Sequence, residues 1–506
     1  MLIQVLLLAF AFPNTRNGIS IALAQSTTVA SSSVASTTTI ISSPTTVVNA
    51  ASFPSVGSIP RDYTPEGLEQ LWDIIGPVEP PPFTTTRVPT AADILPDLKF
   101  PKGFRYGVAT SAYQIEGAVK NEGKGPTMWD WATRQPSGTT DNTTGDVVGL
   151  HYYLYKEDVE RIAALGVTAH SFSISWARIY PFGAADSPLN TLGIDHYSDV
   201  IDYHHLAHNV EPVVSLFHWD TPVALQAYYG GFTSPQIVDD FIKHTATVLK
   251  LGSRSMNRAI SVARFHPILS VNILPIKPYF GKLTLRVDVT LAPGVNSSTA
   301  PYQCAYNLLK AHAGAVKAFR EMNMTGEIGF KNSNYIGTPW RSNSTEDALA
   351  VIGPTLVKDT LSEEYLPRFT DEEKSDLLGS ADFFSITSYR SLWIKAPDEG
   401  LDACYISEFG TLEPFAYANA DISQVKEDVP RTNCLLTYLG EMLLSIHEDG
   451  VPIEGAFAWT MIDDTEWVGG TMVRYGIQHV DYTTLERTYK RSALSLVEFF
   501  GSHLQD

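Results

Sequence analysis

The chain has 506 residues, 44% of them hydrophobic and 18% charged, an ordinary globular composition with ample apolar content for a large core. A formal net charge of -19 repels a phosphate backbone and argues against a nucleic-acid partner. Cys304, Cys404 and Cys434 make neither a disulfide scaffold nor a metal-spaced cluster. A Cys404–Cys434 bridge is one pairing open to them, and the odd count leaves at least one thiol unpaired.

Residues 2–12 form an apolar run too short to cross a bilayer, and Ala22-Leu23-Ala24 before Gln25 fits a small-x-small cleavage site. Residues 1–24 therefore read as a secretory signal peptide, although no Lys or Arg precedes the run. No later stretch holds about 18 uninterrupted apolar residues, so no membrane contact is expected once the signal is removed. Residues 25–97 are first rich in Ser, Thr, Val and Ala and then in Pro, as in Glu79-Pro80-Pro81-Pro82. Such a composition cannot bury a core and reads as a stalk and approach segment, with a short helix near 66–75. Asn142, Asn296, Asn323 and Asn343 begin Asn-x-Ser/Thr sequons. A secreted glycoprotein, extracellular or cell-wall associated, is the expectation.

From residue 98 to 506 strand patterns alternate with helical ones. Strands are expected at Phe104–Ala112, Thr168–Trp176, Glu211–Asp220, Glu327–Asn332, Asp382–Tyr389, around Glu408, and at Ile453–Met461. Helices are expected at Tyr152–Leu165, Ile194–His208, Gln236–Leu251, Tyr302–Met322, within 346–378, and at Cys434–His447 and Ser492–His503. Alternating β and α implies a parallel sheet with right-handed crossovers. About eight such units close naturally into a (β/α)8 TIM barrel, whose active sites sit at the C-terminal ends of the strands. Glu408 stands at the strand end in Cys404-Tyr405-Ile406-Ser407-Glu408-Phe409-Gly410, an apolar strand leading to a carboxylate and then, two residues on, a turn residue. Alone, that is more often a strand-end Glu capping a loop than a catalytic one.

Several ordered stretches resemble glycoside hydrolase family 1, the β-glucosidase-like retaining glycosidases. They are Phe104 to Gly117 (FRYGVATSAYQIEG), Met128-Trp129-Asp130, Ser171 to Ile179 (SFSISWARI), Phe217-His218-Trp219-Asp220, Phe457-Ala458-Trp459, Asp464-Thr465-Glu466-Trp467 and Tyr475 to Tyr482. The Ser-Glu-Phe-Gly around Glu408 departs from the family's Thr-Glu-Asn-Gly but keeps Glu and Gly, like a fungal-type variant. The resemblance implies hydrolysis of terminal β-glucosidic bonds in a β-glucoside or oligosaccharide, without a cofactor or metal. Oligomeric state is not readable. Retention needs two carboxyls about 5–5.5 Å apart, one attacking the anomeric carbon and one protonating the leaving oxygen. By resemblance Glu408 is the nucleophile, with Arg105 and Tyr389 supporting it. Gln114, His218, Trp459, Glu466 and Trp467 match the glycone subsite, Gln114 and Glu466 as hydroxyl partners and Trp459 as the stacking platform. By spacing alone, a buried Trp belongs to a core and a strand-end His to a satisfied structural pair.

The pattern breaks twice. The family's acid/base lies in an Asn-Glu-Pro triplet ending the fourth strand, and this chain has no such triplet. Residues 252–300 contain no Glu, one acid (Asp288) and six Lys or Arg, as if a foreign insert replaced strand four; the alternative is a diverged strand within Ile268–Leu274. The link from Tyr389 to Cys404 is short for a helical crossover and suggests a missing segment. General acid help is worth roughly 10²–10⁴-fold. The expectation is a weak or inactive hydrolase, the alternatives being a sugar-binding pseudoenzyme or a mis-spliced product.

Overall fold

A computed structural model describes Thr64 and residues 90–505 except 137, 205–207, 257–267, 272–299, 325, 340–366 and 395–420. For 251–256, 268–271, 301, 332–339 and 387–394 the description is of the backbone alone. The expected signal peptide, most of the stalk, the 66–75 helix, Asp288, Cys404 and Glu408 lie outside the described residues.

The strands are β1 (Arg105–Ala109), β2 (Ala169–Ser173), β3 (Glu211–Phe217), β4 (Ile268–Val271), β5 (Gly329–Pro339), β6 (Phe383–Ile394) and β7 (Gly455–Trp459). Among the described residues they form one sheet in the order β6-β5-β4-β3-β2-β1-β7, every pairing parallel. A short antiparallel hairpin, β8 (Gln478–Val480) with β9 (Arg487–Tyr489), follows. The fold is a (β/α)8 barrel.

The missing-strand reading is overturned. Ile268–Val271, inside the window of the diverged-strand alternative, pairs with β3 on one side and β5 on the other. Its four residues alternate too little and too briefly to stand out in a basic stretch; pairing partners on both edges supply what the local pattern lacks. In contrast, β5 and β6 run further than their apolar cores suggest, staying paired as far as Pro339 with Ile394. That leaves only 395–403 before Cys404, which tightens the second break.

The crossover helices are α1 (His151–Ala164), α2 (Thr191–Asp202), α3 (Gln236–Met256), α4 (Ala300–Glu321), α5 (Asp371–Leu377), α6 (Val429–His447) and α7 (Arg491–His503). Their apolar faces explain their places. α3 turns Ile237, Phe241, Val248 and Leu249 inward, all fully buried, against Val316 and Phe319 of α4 and Leu216 of β3. Gly314 lets α3 and α4 approach, since a Cβ there would lie 2.3 Å from Ile242. α7 packs Phe499 and Phe500 under β1, with Phe500 stacked on Tyr106 at 4.0 Å between centroids. α6 starts five residues before the expected Cys434, because Pro430 in the first turn needs no hydrogen-bonded N–H. Ala91 is buried with Leu436 and Leu439 of α6, so packing begins ahead of residue 98.

Inside the sheet, Ala169, Val213, Phe383 and Phe457 meet as an apolar floor. Gly107 makes room for the Phe457 ring, which a Cβ would approach to 2.2 Å. One layer nearer the C-terminal ends, the same alternation reaches Ser171, Ser215, Lys331 and Trp459. The apolar floor gives way to a polar tier, and the candidate site stands on it.

Candidate active site

Three chain segments leave the C-terminal ends of β1, β3 and β7 and converge. After β1, the short helix Ala112–Ile115 carries Gln114, fully buried; its first N–H is held by the Ser173 hydroxyl at 2.7 Å. The helix end is fixed by Glu116, which accepts from buried Arg178 at 3.1 Å and from Tyr197 at 2.6 Å. After β3 comes His218. Trp219 then adopts a left-handed φ of 70°, turning the chain so that its ring meets Trp129 and Trp467. Trp459 ends β7, and the following loop carries Asp463, Asp464, Glu466 and Trp467.

That loop is held from below. Asp463 accepts from the buried ammonium of Lys490 at 2.7 Å and from the Gly476 N–H at 3.0 Å. Burial opposes ionisation of Asp463, but Lys490, His479 and Arg474 outweigh it and keep its carboxyl below the usual range. Further on, Asp141 accepts from the Thr471 and Met472 N–H groups at 2.8 and 3.1 Å. Gly470 permits this approach, with φ of 64° and space that a Cβ would lose to the Asp141 carboxylate.

The polar centre is a three-residue knot. Gln114 Oε1 accepts from the Ser111 hydroxyl at 2.6 Å, which orients the amide. Its Nε2 faces the Thr465 carbonyl at 3.1 Å, Asp464 Oδ2 at 3.3 Å and Glu466 Oε2 at 3.4 Å. Glu466 Oε2 also accepts from the Trp459 indole N–H at 3.3 Å. Burial pushes the Glu466 carboxyl up to about 7 against these donors and Arg431. Asp464 is raised well above the carboxylate range, by burial first and then by Glu466 and Asp463. Asp463 is thus the ionised anchor, and Asp464 is held as the neutral acid.

Around the knot lies an aromatic wall. His218 stacks on Trp459 at 5.7 Å and on Trp467 at 5.8 Å, with planes within 7° and 8°. Trp467 packs against Trp129 at 4.6 Å. His218 Nδ1 is buried without a hydrogen-bond partner among the described residues. Burial, then the Lys331 charge, drives its pKa well below the ordinary value, so the ring is neutral. Trp459 is only half-buried and stands beside hydroxyl-binding groups, an arrangement suited to a sugar's C–H face and its hydroxyls.

The five residues assigned to the glycone subsite, Gln114, His218, Trp459, Glu466 and Trp467, are therefore brought together. Arg105 is not with them. It is the first residue of β1, where its guanidinium meets Glu211 at 2.9 Å, Glu454 at 3.3 Å and Glu327 at 3.6 Å. Those acids open or precede β3, β7 and β5, all at the N-terminal ends. Four residue steps, about 13 Å, separate Arg105 from Ala109 at the other end of β1. The expectation that Arg105 holds the nucleophile is corrected: it is a ring-closing charge at the opposite end of the barrel. Tyr389 lies within β6, where the description is of the backbone alone. Cys434 carries a free thiol, and Cys404, the other half of the possible bridge, lies outside the described residues.

Sequence reasoning passed over Asp464, Lys331 and Arg431. Asp464 stands two residues before Glu466, and such close carboxylates are a readable sign of a shifted pair. Lys331 interrupts the apolar run Ile328-Gly329-Phe330 in an inner strand, also a readable signal. Arg431, which donates to the Trp459 carbonyl at 2.8 Å, sits on α6, where nothing local distinguishes it from a surface cation.

Comparisons with known proteins give the family. The sequence model of glycosyl hydrolase family 1 matches residues 97–401 and 398–503. Raucaffricine-O-beta-D-glucosidase of Rauvolfia serpentina is 30% identical, over 80% of this chain and 92% of its own length. Beta-glucosidase 1B of Phanerodontia chrysosporium is 30% identical over 82% and 88%. Among solved structures, the β-glucosidase from Trichoderma harzianum is similar with a TM-score of 0.69 at 28% identity, over 81% of this chain and 98% of that one. A family 1 β-glucosidase from the fungus Humicola insolens, in complex with glucose, gives 0.70 at 28% identity, over 81% and 99%.

Proposed function

The chain belongs to glycosyl hydrolase family 1 and is a glycoside hydrolase; from that premise we propose that it acts on terminal β-D-glucosidic bonds by retention, with Glu408 as nucleophile and a weakened acid step. The observation that carries the reading is the knot of Gln114, Glu466 and Trp459, in which the Glu466 carboxylate accepts from both the Gln114 amide and the indole N–H of the half-buried Trp459. Such a set engages adjacent equatorial hydroxyls while the ring stacks, which is recognition of a neutral hexose. That relatives and neighbours of similar length are named β-glucosidases supports glucose over other sugars.

In this reading the Glu408 carboxylate attacks C1, the glycosidic oxygen leaves, and water later cleaves the glycosyl ester. Residues 252–300 contain no Glu, so the protonation of the leaving oxygen lacks its usual group. The family match divides where the 390–404 link is short, which supports a lost segment there. Secretion after removal of 1–24 belongs to the same proposal; the exposure of Asn142 and Asn323, two sequon residues, is consistent with glycosylation.

The test is a comparison of leaving groups. 2,4-Dinitrophenyl β-glucoside needs no acid, so it should give a burst of dinitrophenolate followed by slow turnover, while cellobiose turns over at least about 10²-fold more slowly. Equal turnover of both would mean that an acid is in place. Glucose binding with no burst would favour the sugar-binding pseudoenzyme.

A further inference from the structure

The segment from Asp463 to Met472 carries Glu466 and Trp467, and its backbone is strained. Trp467 holds a left-handed φ of 49°, and Gly470 has φ of 64° with ψ of -149°, a region open in practice to glycine alone. Such conformations persist only where the surrounding contacts over-determine them. Lys490 and the Gly476 N–H hold Asp463 and so fix the near end of the segment. The far end is fixed by Asp141, 330 residues from Thr471 in sequence.

Both oxygens of the Asp141 carboxylate are filled. Oδ1 accepts from the Thr143 N–H at 3.1 Å and the Thr143 hydroxyl at 2.6 Å, which ties the carboxylate to its own loop. Oδ2 accepts from the Thr471 N–H at 2.8 Å, the Thr471 hydroxyl at 2.9 Å and the Met472 N–H at 3.1 Å. Beside it, the Val468 carbonyl accepts from the Thr140 N–H at 2.7 Å and the Thr140 hydroxyl at 3.0 Å. The two loops approach so closely that a Cβ on Gly470 would stand 1.9 Å from Asp141 Oδ1. All of these donors are uncharged N–H or O–H groups, so the carboxylate is spent on dipoles of the two loops and not on a cation. Partial burial works against its ionisation, and the Thr143 and Thr471 donors outweigh that and hold the carboxyl below its usual range.

The clamp reaches the sugar-binding groups through the backbone. The Gly470 carbonyl, next to Thr471, accepts from the Glu466 N–H at 2.9 Å, and the Glu466 carbonyl accepts from the Gly469 N–H at 2.7 Å. The outer loop also meets the aromatic wall. The Gly145 N–H donates to the Tyr113 hydroxyl at 3.2 Å, and the Tyr113 ring lies 6.3 Å from that of Trp467 with planes within 7°. Resting on the reading of Glu466 and Trp467 as glucose contacts, we propose that Asp141 is a positioning residue for sugar binding, the anchor that keeps the turn at Glu466 and Trp467 in its sugar-competent form. Without the anchor the strained turn relaxes into other conformers, and affinity falls with the population of the competent one. A turn competent one-tenth of the time binds about tenfold more weakly. Asp146, in the same outer loop, provides a control, because its exposed carboxylate pairs with Arg134 at 2.5 Å.

The experiment is glucose binding by calorimetry on the full chain, with urea unfolding of each variant as the check on folding. Asp141→Ala should weaken glucose binding about tenfold, whereas Asp146→Ala should stay within about twofold of wild type. The discriminating readout is a double-mutant cycle. In a Glu466→Ala background the contact that Asp141 positions is already gone, so Asp141→Ala should cost about twofold or less further. Asp141→Asn, which keeps an acceptor oxygen for Thr471 and Met472, should recover most of the affinity. Where Asp141→Ala does not fold, Thr471→Val removes a single hydroxyl donor from the clamp and should weaken binding about threefold, again with little effect in the Glu466→Ala background. Wild-type affinity in the folded variant overturns the proposal. So does an equal loss in both backgrounds, or an equal loss in Asp146→Ala, since either is a general loosening of the loop. A wild-type chain that binds no glucose defeats the reading of Glu466 and Trp467 as its contacts, and the Asp141 proposal with it.

Discussion

The two ends of this barrel handle charge in opposite ways. At the N-terminal end, Arg105 is surrounded by Glu211, Glu327 and Glu454, so one cation ties together the starts of β1, β3, β5 and β7. At the C-terminal end, Lys331 is buried with no ion pair among the described residues, Asp464 is kept neutral, and Glu466 is poised near pH 7. The first satisfies its charges internally and serves closure; the second leaves them partly unsatisfied, as a site must if a substrate is to complete it.

This contrast can be broken by substitution at either end. Asp463→Asn should have the largest effect on stability, since it strands the buried Lys490 ammonium; a loss of about 3–5 kcal/mol is expected in urea unfolding. Glu466→Ala should leave stability nearly intact but lower glucose affinity by about 10–100-fold in calorimetry, the range for a lost charged hydrogen bond. Arg105→Met should cost about 1–2 kcal/mol, because its carboxylate partners are partly exposed and screened, with burst amplitude per folded molecule unchanged. A change in burst amplitude there would return Arg105 to the active site.

The smallest effect concerns pH. The Glu466 pKa is raised in the folded chain, so its contribution to stability is full below the unfolded carboxylate value and is lost as pH rises through about 7. Sugar binding has the opposite sign, because the carboxylate accepts two hydroxyls and the acid accepts fewer. Glucose affinity should therefore rise severalfold between pH 6 and 8. Glu466→Gln should flatten that rise and increase the melting temperature at pH 8; a rise that persists in this variant would place the titrating group elsewhere.

Much of this was legible before any coordinates. The barrel followed from alternation, because helices such as α3 repeat apolar residues at three and four while inner strands such as β3 are mostly apolar and buried after their first residue. Gln114, His218, Trp459, Glu466 and Trp467 were legible only as a set of ordered motifs, since each alone is a common core or strand-end residue. What failed depended on long-range partners. β4 is a strand because β3 and β5 flank it, not because Ile268-Leu269-Ser270-Val271 is distinctive. Arg105 was misplaced because a motif gives adjacency along the chain, whereas the end of the strand on which a residue falls decides which charges it meets.

The central claim is that the polar tier of the barrel presents a sugar's reactive carbon to Glu408. Digesting the chain after labelling with 2-deoxy-2-fluoro-β-D-glucosyl fluoride and sequencing the modified peptide tests it most directly. The account predicts a single fluoroglucosyl ester on Glu408, lost in Glu408→Gln and slowed when glucose competes. A label on any other carboxylate, or one that glucose does not compete away, would contradict it.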